Sequence, residues 1–166
     1  MRMKKYLVCN YKYWVREKLS FDIILQSNQD RKEKAKLIAE KIKNTKNYSW
    51  IGLYDVTEKD IHLISYAGRS EPTFSSFPND RGLNGRVNKE KKTVIVNDID
   101  KDEDYLLTFS DTQSEIVVPV FDTDGKTVKG TIDVESEQEN AFNKEDAAFL
   151  EECAISIQSL WSPLYP

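Results

Sequence analysis

From Tyr48 onward the hydrophobic pattern changes period, and this limits the fold more than any other feature of the chain. Upstream, Ala35, Ile38, Ala39 and Ile42 recur at i, i+3, i+4 and i+7, with Lys and Glu on much of the opposite face. That spacing predicts an amphipathic helix over residues 30–43, capped by Asn28 or Asp30. Downstream, apolar residues alternate in short runs divided by turn residues, the pattern of a half-buried sheet. Residues 48–56 and 61–66 read as a hairpin around the turn 57–60. Residues 114–121 and 127–135 read as a second hairpin around Asp122-Thr-Asp-Gly125, and residues 93–96 as a short strand.

Between these strands the chain is irregular. Residues 67–81 are loop-like, with Gly68, Pro72 and Pro78, and Gly82-Leu-Asn-Gly85 opens a short helix to about Glu90. Residues 97–111 form an acidic connection with one helical turn expected around Tyr105. At the end of the chain Asn143 and Asp146 make a capping-box pair with Phe142 as staple. Leu150, Cys153, Ala154, Ile157 and Trp161 then form one helical stripe, which Pro163 ends. The expected class is α+β: a central antiparallel sheet of five or six strands, terminal helices on one face, loops and the short helix on the other. Residues 1–28 are expected to be a helical N-terminal extension, 29–161 the domain and 162–166 a tail.

The length of 166 residues suits one such domain. No apolar run is long enough for a membrane span, and the N-terminus shows no secretory pattern. Two cysteines cannot form a disulfide framework, so a cytoplasmic location is expected. The net charge of -4 hides an asymmetry: residues 1–48 carry 13 basic and 5 acidic residues, whereas residues 49–166 carry 11 and 23. A basic arm could meet nucleic acid, but its charges are spread along a helical pattern. Packing of the basic segment near the acidic one is therefore the stronger expectation.

Several motifs mimic sites without completing them. Gly125-Lys126-Thr127 resembles the end of a phosphate-binding loop, yet Val120 stands where that motif needs glycine. Asp98, Asp100 and Asp102 resemble a calcium loop, but Glu103 and Phe109 occupy its required Gly and Glu positions. His62 is the one histidine, which excludes a Ser-His-Asp triad or a His-rich metal centre within the chain. No metal or cofactor is indicated.

What remains is acidic and aromatic. In residues 127–135, Val128, Gly130, Ile132 and Val134 alternate with Thr127, Lys129, Thr131, Asp133 and Glu135, so Asp133 and Glu135 lie side by side on one face. Hairpin pairing brings Glu115 to the same end of the sheet. Three carboxylates so placed repel one another unless a cation or proton donor joins them; the alternative is that they stand free in solvent. Trp50 and Tyr54 share one strand face, as core or as ligand platform. The two glycines of Arg81-Gly-Leu-Asn-Gly85 bracket a helix start whose backbone N–H groups could face a ligand, or form a simple turn.

Taken in order, Ser49-Trp-Ile-Gly-Leu-Tyr54, Arg81-Gly-Leu-Asn-Gly-Arg86, Thr93-Val-Ile-Val-Asn-Asp98, Ser114-Glu-Ile-Val-Val-Pro-Val120, Gly130-Thr-Ile-Asp-Val-Glu-Ser136 and Asn140-Ala-Phe142 with Asp146 resemble a GAF domain over about residues 30–161. The resemblance implies a PAS-like module with a small-molecule pocket and dimerisation through terminal helices. Within that group the chain looks most like the single-domain free methionine-(R)-sulfoxide reductases. Carried over, their substrate-holding carboxylates fall on Glu115, Asp133 and Glu135, with Trp50 and Tyr54 lining the pocket. The segments that hold the family's cysteines here read Arg69 to Asp80, Asn84, and Tyr105 to Gln113, with Thr108 near the expected nucleophile, and none contains Cys. Sulfoxide reduction needs an attacking thiolate and a resolving thiol, and threonine supplies neither.

The expectation is a non-catalytic, small-molecule-binding sensor or signalling protein with its pocket between the sheet and residues 67–111. Its expected ligand-binding residues are Trp50, Tyr54, Asn84, Thr108, Glu115, Asp133 and Glu135. A homodimer through the terminal helices and a separate output protein would carry the signal. The alternatives are a reductase-type enzyme using Cys9 or Cys153, and a protein or nucleic-acid interaction module.

Overall fold

The computed structural model describes residues 20–162. The element order is α1 (Asp22–Leu25), α2 (Arg31–Lys46), β1 (Trp50–Val56), β2 (Asp60–Ala67), β3 (Ser76–Pro78), α3 (Gly82–Glu90), β4 (Val94–Val96), β5 (Ser114–Phe121), β6 (Val128–Ser136) and α4 (Lys144–Ser156). Single 3-10 turns occur at Ile99–Lys101 and Gln158–Trp161. The strands form one six-stranded sheet in the order β3-β2-β1-β6-β5-β4, every neighbouring pair antiparallel.

Local chemistry sets the helix ends. Asp30 accepts the Glu33 N–H at 2.8 Å to start α2, and Asn47 in the left-handed region (φ 56°) closes it. Asn143 accepts from the Glu145 and Asp146 N–H groups, and the Asp146 carboxylate accepts the Asn143 N–H in return, which completes the expected capping box.

The sheet has two unlike faces. On one, Ile51, Leu53, Ile116, Val118, Ile132 and Val134 pack against α2 and α4, through Ile38 and Ile42 from one helix and Phe149, Leu150 and Cys153 from the other. Arg31 ties this layer together. Its guanidinium clamps Asp55 of β1 at 2.6 and 2.7 Å, and its Nε donates to the Leu160 carbonyl at 2.9 Å. The ion pair between Lys46 and Asp146 likewise joins the basic α2 to the acidic α4, at 3.9 Å. On the other face lie α3 and the segments between β2 and β5.

Three features differ from the sequence reading. Ser76–Pro78 pairs with β2 as an edge strand, where proline's missing N–H costs no ladder bond; the serine-rich, proline-bearing composition concealed it. At Tyr105 the chain makes one hydrogen-bonded turn, with the Tyr105 N–H donating to the Asp102 carbonyl at 3.3 Å, and no helix forms. The Asp104 N–H turns instead to the Asp102 side chain at 3.1 Å, while Arg86 grips the same carboxylate at 2.5 and 2.8 Å. This local side-chain bond competes with helix formation, and the 3-10 turn falls at Ile99–Lys101. The last stripe is not one α-helix, because α4 stops at Ser156 and a 3-10 turn carries Trp161 back over Gly130. Most of the 1–28 extension and the tail after Ser162 lie outside the described residues. No helix among the described residues is long and apolar enough to cross a membrane.

The capping box gives a direct check on this layer. Asn143→Ala should cost about 1 kcal/mol and lower the melting temperature by about 2–4 °C in a thermal melt. An unchanged melting temperature would mean that α4 is fixed by packing alone.

Candidate functional site

Strand alternation places Trp50 and Tyr54 of β1, Glu115 of β5, and Thr131, Asp133 and Glu135 of β6 on the face opposite α2 and α4. Register completes the cluster: Glu115 lies across from Glu135, and Gly52 from Asp133. A Cβ at Gly52 would sit 2.4 Å from Trp50 Cη2 and 2.8 Å from Tyr54 Cε2, so glycine is what lets the two rings close over the strand between them.

The three carboxyl groups are buried, each at most 3% exposed, and oxygens from all three lie within 4.8 Å of one another. The arrangement in which they stand free in solvent is therefore excluded. The Asn84 side-chain N–H donates to Asp133 Oδ2 at 2.7 Å, and Asn84 Oδ1 accepts the Thr131 hydroxyl. The Thr112 hydroxyl donates to Glu135 Oε2. Asp133 Oδ1 and Glu135 Oε1 are buried without a hydrogen-bond partner. Two unpartnered oxygens in so acidic a site are the places at which a donor or cation would be held, and the same spacing would suit ligation of one cation.

Electrostatics follow from burial. Loss of water raises Glu115 and Asp133 well above the usual carboxylate range; the charges of Asp133 and Glu135 raise Glu115 further, and the charge of Glu135 raises Asp133 further while the Asn84 amide pulls it partway back. Glu135 is pushed up to about 7, mainly by burial; the Thr108 and Thr112 hydroxyls and Arg69 pull it partway back. Burial, then the neighbouring carboxylates, raise Tyr54.

Residues 105–113 cover the site. Phe109 meets Trp50 edge-on with ring centroids 5.4 Å apart, and Trp50 stacks on Tyr66 at 6.0 Å. The Trp50 indole N–H donates to the Ser70 carbonyl at 3.0 Å. Thr73 fixes the Thr108 carbonyl with both its N–H, at 3.1 Å, and its hydroxyl, at 2.6 Å. The Arg69 guanidinium lies 4.8 Å from the Phe109 ring and bonds Asp111 and Glu137, so one cation clasps three loops.

Beneath this cover is an enclosed cavity of about 10 Å³, room for about one water molecule. Of the residues expected at the site, Tyr54, Asn84, Thr108, Glu115 and Asp133 line it, with Phe77, Leu83 and Leu106 among the apolar walls. Trp50 and Glu135 stand behind the lining, Trp50 in the aromatic wall and Glu135 under Thr112. The start of α3 borders the cavity through Gly82, Leu83 and Asn84, and no side chain caps that helix. The sequence reading missed Thr131, Thr112 and Arg69. Thr131 could have been found, since it lies at i-2 from Asp133 on the acidic face; Thr112 and Arg69 reach the site through loop geometry that leaves no periodic signal. Cys153 lies across the sheet in the helical layer, its thiol pushed up to about 12 by burial. Cys9 falls outside the described residues.

The fold and the site define a small α+β module that encloses a polar hollow beside its sheet. The GAF domain family model matches residues 29–158, and the chain belongs to that family. It is 32% identical to GAF domain-containing protein A of Dictyostelium discoideum over 110 residues, which is 66% of this chain and 67% of the relative. It is 32% identical to the free methionine-R-sulfoxide reductase of Saccharomyces cerevisiae over 112 residues, 66% of this chain and 61% of that enzyme. The solved structure of free methionine-R-sulfoxide reductase from Neisseria meningitidis in complex with its substrate superposes with a TM-score of 0.77. That match has 27% identity and covers 91% of this chain and 90% of the other.

The raised carboxyls make stability depend on pH with a defined sign. Between the ordinary carboxylate range and about 7 the folded state holds protons that the unfolded chain has released, so stability falls as pH rises through that window. Glu135→Gln should flatten this fall and raise stability at pH 8 by up to about 3 kcal/mol, measured by denaturant unfolding at pH 5 and pH 8. Parallel pH dependence in both proteins would show that Glu135 ionises freely.

Proposed function

We propose that this protein is a small-molecule-binding, sensor-type GAF protein that performs no sulfoxide chemistry itself. Its ligand sets a cationic, proton-donating head against Glu115, Asp133 and Glu135. The observation that carries this reading is the buried acidic trio with two unpartnered oxygens, one of them on a residue that borders an enclosed cavity. Unpaired buried carboxylates are costly, and an ammonium group is their natural counterpart. Such a head also accounts for the chemistry of the walls, which offer acceptors at the trio and apolar or aromatic surface from Tyr54, Leu83 and Leu106.

The non-catalytic reading is supported by the sulfur positions. Residues 69–113 contain no cysteine, and Cys153 lies behind the sheet with a thiol held protonated. The cavity as it stands admits about one water, so binding must displace part of the cover formed by residues 105–113. Displacement there alters the Arg69 clasp and, through it, the loops after β2 and β6. In this proposal the change is passed to a second copy through the terminal helices or to a separate output protein in the cytoplasm. A reductase-type activity is the second reading, favoured by the sulfoxide reductases among the similar proteins and by the uncapped start of α3, whose N–H groups could meet a carboxylate.

Protons report on the site directly. An ammonium head requires ionised carboxylates, so its affinity should rise with pH up to and through about 7, with proton release on binding. Calorimetry in buffers of different ionisation enthalpy measures that release, and Asp133→Asn should weaken binding by at least about tenfold. Native mass spectrometry of freshly purified protein identifies what the cavity holds. Thiol-dependent turnover of free methionine sulfoxide would overturn the non-catalytic reading.

A further inference from the structure

A second recess, about 560 Å³ and open to solvent, adjoins the enclosed cavity. The two share Phe74, Phe77, Gly82 and Leu106 in their walls, so a single waist separates them. The charges on either side of that waist have the same sign. Inside are Glu115 and Asp133, with Glu135 behind them. Outside, the lining carries Asp80, Glu103 and Asp104 against the cation Arg81. Asp104 reaches the Arg86 guanidinium only at 3.5 Å and keeps 80% of its side chain exposed. The waist itself is apolar, made of Phe74, Phe77 and Leu106, and Phe74 is 45% exposed without a partner that buries it. The path from floor to rim therefore runs acidic, apolar, acidic.

We propose that the ligand is an elongated dication, a linear alkyl diamine or polyamine. One ammonium sits on the buried trio, its methylene chain passes the Phe74–Phe77–Leu106 waist, and its second ammonium lies at the Asp80–Glu103–Asp104 rim. This rests on the reading that the trio receives an ammonium, and it adds the length and the second charge. Two independent features point to it. Asp133 Oδ1 is a buried acceptor with no partner among the described residues at the inner end, and the outer recess adjoins that cavity across shared walls and carries a surplus of negative charge. Methylene groups suit an aromatic waist, which a chain of hydrated polar groups would not. A zwitterionic amino acid is the competing ligand: among the described residues the inner lining has no Lys, Arg or His, so the amino acid's carboxylate would have to rest on the uncapped N–H groups of α3.

Isothermal titration of the full-length protein with methylammonium, n-pentylamine, cadaverine and free methionine sulfoxide tests this. Cadaverine should bind about fivefold or more tighter than n-pentylamine, the scale of one added exposed ion pair, and the advantage should shrink at high salt. The triple variant Asp80→Asn, Glu103→Gln, Asp104→Asn changes only exposed side chains, so it should fold as the parent does. It should bring cadaverine down to the level of n-pentylamine and leave n-pentylamine unchanged. Equal binding of the two amines by the parent protein overturns the dication, as does a preference that survives in the rim variant. Tighter binding of methionine sulfoxide than of cadaverine also overturns it, while leaving the ammonium site in place. If no amine binds, the ammonium reading of the trio fails and this inference fails with it.

Discussion

Three carboxyl groups packed against one sheet face set the constraint around which this molecule is arranged. Charged carboxylates within 4.8 Å of one another and out of water would oppose folding by several kcal/mol each. The protein answers mainly with protons and dipoles, and the cation that acts on the trio, Arg69, pulls Glu135 down only partway from outside the cavity lining. Asn84 gives an amide N–H to Asp133, and Thr112 gives a hydroxyl to Glu135. Among the described residues no Lys, Arg or His enters the cavity lining. Neutralising the trio with an internal arginine would have been simple, since Arg69 and Arg86 both lie in the covering layer. Both are engaged elsewhere, on Asp111 and Glu137 and on Asp102. The site is thus kept acidic and incompletely satisfied, the condition in which a buried polar group points outward from stability toward binding.

The rest of the fold makes that condition tolerable. The helical layer supplies the packed apolar core, with Ile38, Ile42, Ile116, Ile132, Leu150 and Leu160 fully buried. Large side chains in well-packed positions each contribute roughly 1.5–3 kcal/mol, enough in sum to absorb a polar defect on the opposite face. The covering layer is built differently. It has short elements, α3 and β4, and an irregular segment held by backbone contacts to Thr73 and by the Arg69 clasp. Those contacts are partly exposed, and exposed ion pairs are individually weak. Rigidity is therefore concentrated on one side of the sheet and lability on the other, over the cavity.

How far the site could be read in the sequence follows from which relations are periodic. Asp133 and Glu135 share a face because strands have period two, and Glu115 joins them because a tight turn fixes hairpin register; both relations are local and both were legible. The β1, β2, β5 and β6 strands and the α4 capping box were legible for the same reason. The Thr112 and Arg69 contacts were not, since each depends on where a loop returns in space. The Tyr105 region shows a subtler limit: a helical turn was expected there, but the Asp102 side chain captured an N–H that a longer helix would have used. Cavity size lies further still from sequence, because it is a small difference between the volumes of Phe77, Leu83, Leu106 and their neighbours and the space they enclose.

The sheet and its cover contribute different parts of the site. A binding scaffold needs the strand register, the trio and the aromatic wall, all carried by the sheet. The cover brings Asn84 and Thr108 into the cavity wall. Asn84 accepts the Thr131 hydroxyl and donates to Asp133, so it bridges the strand and the acid that a ligand would meet. A cysteine in its place could not make both bonds, because a thiol is a weak donor and a weak acceptor. Asn84 therefore ties the start of α3 both to the acid and to the strand beside it.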